Sequence, residues 1–392
     1  MQEAYLVAGF RTAVGKAPRG KLRTVRPDDM AVAVIERIKQ TFPQIDFTKE
    51  IDDLICGNAL PEAEQGLNMA RYIALRAIGK EVPATTINRY CASGLEAIEM
   101  AIAKIRVGDA DAILAGGTES MSLVPMGGYK IVPNYEYALH APEWYYNMGM
   151  TAEEVAKKYG IKREDADAFA LRSHQNALTA IKEGKFKDEI VPLQLKEITV
   201  VNGKKQIHTY IHDTDEGPRA DTSMEALARL KPVFSAHGQV TAGNSSQTSD
   251  GAAFVFVVSE RFLKRHNLTP IAVLRGYAVA GVEPHIMGIG PVEAIPKALK
   301  RANLSLADID LIELNEAFAA QTLAVIKEAE LPMEKLNVNG GAIALGHPLG
   351  CTGAKLTVQI LNELRRRGKK YGLVTACVGG GQGIAGIFER LN

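Results

Sequence analysis

The sequence predicts an α/β fold built from two similar halves, with a large insertion late in the first. Three observations predict it. Short apolar runs alternate with helical stripes, the pattern of βαβ units and a mostly parallel sheet with right-handed crossovers. Segments recur in the same order: "DLICGN" at 53–58 returns as "DLIELN" at 310–315, and "CASGLEA" from Cys91 as "CTGAKLT" from Cys351. Residues 121 to about 249 have no counterpart in that repeat. A chain of 392 residues, 46% hydrophobic, has ample core for two or three domain-sized units.

Each half opens alike, with a strand run then a helical run: "AYLVAG" and "DDMAVAVIERI" in the first, "IAVLRG" and "VEAIPKALKRA" in the second. "PATTIN" at 83–88 reads as extended and leads through Ser93-Gly94 into a stripe of Leu95, Ile98, Ile102 and Ile105. That stripe stops at Gly108, and the strand run "AILAGG" follows. The insertion holds the single tryptophan, Trp144, beside Tyr145-Tyr146, and "TAEEVAKKYG" at 151–160, where Thr151 and Glu154 read as a capping box. It is expected to fold over the first half. "SDGAAFVFVVSE" then reads as a small-residue helix start followed by a strand returning to the first half. In the second half a stripe of Leu356, Ile360 and Leu364 ends at Gly368, before "YGLVTACVGGG". The expected domains are 1–120 with 250–270, 121–249, and 271–392.

Composition excludes several classes. Lys plus Arg number 46 against 45 Asp plus Glu, net +1, so no nucleic-acid surface is expected. Arg365, Arg366, Arg367, Lys369 and Lys370 read as a solvated helix C-terminus. Four cysteines are too few for a disulfide scaffold, and none forms C-x-x-C, so no zinc is expected. His208 and His212 sit in "IHTYIH", which alternates like a strand, so no metal is expected there. Asp52-Asp53 and Glu153-Glu154 read as exposed charges. The first residues carry Gln and Glu, and no run approaches roughly 18 apolar residues. The expectation is therefore a cytoplasmic chain with no signal peptide and no membrane insertion, whose cysteines stay thiols.

Four spots carry chemistry. Cys91 lies where a strand meets a helix, and a helix N-terminus favours thiolate; burial as a structural cysteine is the competing reading. His347 stands in the Gly-flanked loop "GHPLG", at the equivalent junction of the second half. Cys377 ends a strand at Gly379-Gly380-Gly381, whose N–H groups suit a developing oxyanion. A dinucleotide loop is disfavoured there because "IAGIFE" continues as a strand. Asn315 in "ELNEAFAAQ" reads as a helix N-cap, as an amide aimed at substrate, or both. In α/β sheets ligands gather beyond the carboxyl ends of strands, so pairing the halves brings two thiols, an imidazole and an amide to one cleft.

These motifs resemble the thiolase family. "CASG", "NEAFA", "GHPLG" and "C-x-GGG-x-G" match its motifs in order, and the likeness covers essentially the whole chain, including "VTAGNSSQTSDGAA". The resemblance implies two βαβαβαββ-type halves in a five-layer αβαβα fold with an inserted loop domain. It implies thiolytic cleavage of 3-ketoacyl-CoA through an acyl-cysteine. Cys91 would be the nucleophile and His347 its base. Cys377 would be the second acid/base. Asn315 would hold an oxyanion-hole water, and the N–H groups of Cys91 and Gly379 would form a second hole. Arg219, Ser246, Ala317, Phe318, Asn147 and Met148 match positions along the coenzyme A tunnel. No bound cofactor is implied, with CoA as co-substrate. A homodimer or homotetramer is implied, with possible docking to another β-oxidation enzyme. The family's biosynthetic acetoacetyl-CoA members usually carry His where this chain has Asn147, which tilts the reading to degradative 3-ketoacyl-CoA substrates. The alternatives are an acetoacetyl-CoA thiolase, a Claisen-condensing ketoacyl synthase, which usually has two histidines, and a catalytically silent acyl-CoA binder.

Overall fold

The structure, a computed structural model, describes residues 2–392. Its strands in chain order are β1 (Ala4–Thr12), β2 (Gly15–Lys16), β3 (Asp53–Gly57), β4 (Ala84–Ile87), β5 (Ala112–Ser120), β6 (Ile190–Val191) and β7 (Leu193–Val201). They continue as β8 (Lys204–His212), β9 (Ser249–Ser259), β10 (Ala272–Gly281), β11 (Leu311–Leu314), β12 (Tyr371–Val378) and β13 (Gln382–Arg390). Their spatial order is β11-β12-β13-β10-β1-β9-β5-β3-β4, with β2 and β6 at the margins and β7-β8 a separate hairpin. The halves meet where β1 and β10 run antiparallel at Leu6 and Ala272.

The repeat is visible in the pairing. β1-β9-β5-β3 and β10-β13-β12-β11 share one pattern: antiparallel, antiparallel, parallel. The partner that β4 gives β3 has only a remnant in the second half, the parallel bridge Ile312–Leu336. Each sheet is thus mixed, and the expectation of a mostly parallel sheet is corrected. β12 and β13 are joined by the tight turn at Gly380 and Gly381, both at positive φ, with no helical crossover to make them parallel. "SDGAAFVFVVSE" has no helical start either. All but its last residue form the single strand β9, every residue of which is buried, and its small residues answer to crowding between β1 and β5.

Five layers form. The helices Ser93–Val107 and Leu349–Arg367 lie between the two half-sheets, in one core with Ile55, Val255 and Val257 of the first and Val374, Ile384 and Phe388 of the second. Pro27–Thr41 and Met69–Ala77 cover the outer face of the first half-sheet, and Gly290–Ala302 and Ala319–Glu328 that of the second. The helix Leu349–Arg367 is buried on all sides as far as Leu361, so one apolar stripe under-described it. The central helices touch at glycines. A Cβ on Gly94 would sit 2.7 Å from the Ala354 nitrogen, and one on Gly353 2.3 Å from that of Leu95. That contact holds the starts of the two helices, and so the Cys91 and His347 junctions, together.

The insertion packs on both halves, its long helix on the second. Ala166, Phe169 and Ala170 of the helix Arg163–Lys182 share a core with Leu314 and Ile343, and Arg172 donates to the carbonyls of Met333 and Leu336. Its ties to the first half are β6, which pairs in parallel with β1, the side chains of Val191 and Leu193 in that half's outer core, and a buried ionic cluster. The buried Arg11 guanidinium donates to both carboxylate oxygens of Asp215 at 2.7 and 2.9 Å, and to Glu189 at 2.8 Å. Truncating Arg11 to Ala strands two buried carboxylates, and chemical denaturation is expected to show a loss of about 3–5 kcal/mol.

Smaller expectations are also revised. Thr151 is no cap: the helix Met148–Tyr159 starts earlier, Asn147 caps it by accepting from Met150 N–H at 2.9 Å, and the Thr151 hydroxyl donates to Met148 O. Asp53 is buried and ion-paired with Lys104. Residues Arg365, Arg366 and Arg367 do end a helix, in ion pairs with Asp188 and Glu363. His208 and His212 lie on β8, a strand.

Candidate active site

Cys91 sits in the single turn Tyr90–Ala92, directly before the central helix Ser93–Val107. The backbone there is built to turn sharply. Tyr90 adopts φ +44°, and Ser93 Oγ accepts from Arg89 N–H at 2.8 Å while donating to Tyr90 O at 2.7 Å. The N–H of Gly379 and that of Cys91 itself point at the Cys91 sulfur. Gly379 follows β12, whose last turn of strand carries Cys377, and Cys91 is close enough for its charge to raise the Cys377 thiol. Arg89 reaches Gln382 Oε1 at 3.0 Å and so clasps the glycine turn to the Cys91 turn.

The other groups arrive from the second half. His347 lies just before the helix Leu349–Arg367, and its Nε2 is 3.3 Å from Asn315 Nδ2. Its Nδ1 is 2.6 Å from Thr352 Oγ1, and its main-chain N–H donates to Ser249 Oγ at 3.1 Å. Asn315 follows β11 but caps nothing: the next helix starts at Ala319 after Phe318. The Asn315 Oδ1 atom is buried without a partner among the described residues, so the amide has hydrogen-bonding capacity to spare. Leu349, two residues past His347, packs against Cys91 with Met121, and joins the two sets.

Burial sets the protonation states. It pushes the Cys91 thiol up to about 12, against the two N–H groups that favour thiolate. It also raises Cys377, with the charge of Cys91 adding to it. It pulls the His347 imidazole down to about 3, with Lys355 adding to the effect. The helix-terminus argument for a resting thiolate is therefore overridden by desolvation, and the resting groups are a thiol at Cys91 and a neutral imidazole at His347. Stability follows with a definite sign. His347 takes up a proton near 6.5 when unfolded but near 3 when folded, so its contribution is complete above pH 6.5 and drains away as pH falls towards 3. Denaturation midpoints of His347→Asn are expected to fall less steeply than those of the parent between pH 6.5 and 4.

A cavity of about 500 Å³ adjoins these groups, lined by Lys16, His174, Arg219, Phe234, Ser246 and Thr248 among others. The thiols and the imidazole do not line it. They share its walls, through the Thr248–His347 bridge and the bond from Ser246 N–H to Ala317 O at 2.9 Å. Ala317 and Phe318 pack with Cys377, Met287 and Met148. Arg219 is exposed, its side chain paired with Asp221 and its main-chain N–H donated to His174 Nδ1. Asn147 is set apart from the rest, since its side-chain oxygen is engaged as a helix cap.

Sequence reasoning missed several residues here. Thr352 and Ser249 hold His347. Glu119, fully buried, accepts from Asn58 Nδ2, Gln65 Nε2 and Ala59 N–H of the first half and from Gly350 N–H of the second. Burial pushes it up to about 6 despite those bonds. Its only sequence signal is an acid at the end of an apolar strand, where a solvated side chain is the ordinary reading.

The chain matches the family "Thiolase, N-terminal domain" over residues 4–261 and "Thiolase, C-terminal domain" over 268–390. It is 55% identical to a 3-ketoacyl-CoA thiolase of Bacillus subtilis, covering 99% of this chain and 100% of that one. It is 46% identical to an acetyl-CoA acetyltransferase of Pseudomonas aeruginosa, over 100% of both. Among solved structures it is similar to human mitochondrial 3-ketoacyl-CoA thiolase, with TM-score 0.88 and 42% identity over 100% of this chain and 99% of that one. The repeated halves, their five layers and these full-length likenesses agree: the chain belongs to the thiolase family.

Proposed function

We propose that the chain is an acetyl-CoA C-acyltransferase that cleaves 3-ketoacyl-CoA with coenzyme A, giving acetyl-CoA and an acyl-CoA shortened by two carbons. The observation that carries this reading is the Cys91 sulfur lying under the Gly379 N–H, beside a second thiol, with the His347–Asn315 pair supplied from the other half.

The steps balance in this arrangement. His347 Nε2 takes the Cys91 proton as sulfur attacks the 3-keto carbon, and transfer is coupled to attack because neither free ion is stable in the buried site. The N–H groups of Cys91 and Gly379 bind the tetrahedral oxyanion. Breaking C2–C3 leaves acyl-Cys91 and the enolate of acetyl-CoA. Asn315 and His347 stabilise the enolate oxygen, and Cys377 protonates C2. Cys377, now a thiolate, deprotonates incoming CoA, whose sulfur attacks acyl-Cys91. Cys91 leaves, recovers its proton from His347, and the cycle closes with ping-pong kinetics. Arg219, Ser246, Ala317, Phe318 and Met148 line the route for the CoA moiety. Asn147 acts there indirectly, by holding the start of the helix that carries Met148.

Relatives named 3-ketoacyl-CoA thiolase and acetyl-CoA acetyltransferase both match over full length, and the 55% relative bears the first name. That supports degradative, fatty-acid-shortening activity over acetoacetyl-CoA synthesis. The reading includes a homodimer or homotetramer working in the cytoplasm, without a resident cofactor, and able to dock with another β-oxidation enzyme. Thiolysis rates on 3-ketoacyl-CoAs of increasing length test it. Turnover that extends to medium chains is expected. Activity confined to acetoacetyl-CoA would overturn the degradative subtype, and no thiolysis at any length would overturn the function.

A further inference from the structure

We propose that Thr352 is the positioning residue that fixes His347 in its Nδ1–H tautomer and leaves Nε2 bare as the proton acceptor. The inference deepens the proposed thiolase reaction and rests on it for the role of His347.

The geometry constrains both ends of the ring. A threonine hydroxyl carries one proton and accepts through its lone pairs. The Thr352 oxygen lies 2.9 Å from the carbonyl of Pro348, one helical turn back, and donates there. Its lone pairs then face His347 Nδ1 at 2.6 Å, and the hydrogen in that contact belongs to the ring. At the opposite end, Asn315 Nδ2 lies 3.3 Å from Nε2 and can only donate, which requires an unprotonated Nε2. The two contacts, made by residues 37 positions apart in the chain, demand the same tautomer. The ring has little room to choose another orientation: His347 is buried and its main-chain N–H is held by Ser249.

The nature of the orienting group matters as much as its position. In a serine-protease-type triad a carboxylate holds the imidazole and stabilises its cation. Here the partner at Nδ1 is a neutral hydroxyl. It selects the tautomer without giving the imidazolium a counter-charge, and the charge of Lys355 bears on the ring against protonation. A base held in this way takes the Cys91 proton only while negative charge develops on substrate, and returns it when the acyl group leaves. A carboxylate at position 352 would instead stabilise the imidazolium and raise the basicity of the ring. The helix start is what makes this possible: Pro348 is the N-cap of the helix Leu349–Arg367 and Thr352 lies one turn on, so the carbonyl that receives the hydroxyl proton and the hydroxyl that receives the ring proton are placed by the same backbone.

Two measurements test the assignment. In the parent enzyme labelled with ¹⁵N-histidine, the His347 signals, identified by their loss in His347→Asn, are expected to be pyrrole-type at Nδ1 and pyridine-type at Nε2. The reverse pattern would overturn the proposal whatever the variants do. In kinetics, Thr352→Val keeps the shape and removes the acceptor. It is expected to lower kcat roughly 10- to 100-fold with little change in KM, while Thr352→Ser restores most of the rate. Unchanged kcat in Thr352→Val, or an equal fall in Val and Ser variants, would overturn it. If Thr352→Val does not fold, the NMR result on the parent enzyme still decides. A Nδ1–H ring in a chain with no thiolysis activity would leave the tautomer assignment standing and remove the proposed function instead.

Discussion

Replacing Cys91 with serine is expected to reduce thiolysis of 3-ketoacyl-CoA by about 10⁴-fold or more while the protein still binds acyl-CoA. The change removes one polarisable sulfur and leaves its surroundings intact. Those surroundings include the Tyr90–Ala92 turn, the Gly379 N–H and the packing against Met121 and Leu349. A serine hydroxyl ionises with more difficulty than a thiol, and its ester is a poorer acyl donor to CoA, so both half-reactions suffer. His347, neutral and pulled down to about 3, is too weak a base to compensate. Steady-state thiolysis together with acyl-CoA binding by calorimetry checks it. Retained turnover would rule out Cys91 as the nucleophile.

Replacing Cys377 with alanine is expected to lower turnover by about 10²–10⁴-fold, the range for a lost general acid/base, yet to spare slow acylation at Cys91. Cys377 sits in an apolar cluster with Met287, Ala317 and Phe318, and burial keeps it protonated at rest. It therefore begins as an acid, suited to protonating the leaving carbon. Without it, acetyl-CoA leaves by proton transfer from solvent, and the following deprotonation of CoA has no base. Intact mass after prolonged incubation with acetyl-CoA is expected to show one acyl group per chain. A variant that never acylates would contradict this division of labour.

Much of the arrangement was legible in the sequence because duplication wrote it twice. The pair 53–58 with 310–315 falls on β3 and β11, and the segments from Cys91 and from Cys351 run along the two central helices, Cys91 itself in the turn just before its helix and Cys351 within the other. The Gly-flanked His347 and the glycine run after Cys377 marked backbone that must approach closely. What was not legible depended on long-range contact. A hairpin and a long insertion, not helices, lead into β13 and β9, so the sheets came out mixed. Asn315 has the residue type of an N-cap, but its amide is taken by an imidazole 32 residues away. Thr151 has the residue type and spacing of a cap, but Asn147 stands at the helix start. The insertion's destination was hidden because its apolar face, Ala166, Phe169 and Ala170, fits either half and is settled only by packing. Desolvation is invisible in one dimension too, and it reverses the expected resting state of Cys91.

The claim on which the rest depends is that the Cys91 sulfur, set in one half and served by groups from the other, carries the acyl group between two coenzymes. Acid-quenching the wild-type chain during turnover of 3-ketooctanoyl-CoA, then mapping its peptides by mass spectrometry, measures this directly. The account predicts a hexanoyl adduct, two carbons shorter than the substrate acyl chain, on the peptide bearing Cys91. An adduct on Cys377, or turnover with no covalent adduct at all, would contradict it.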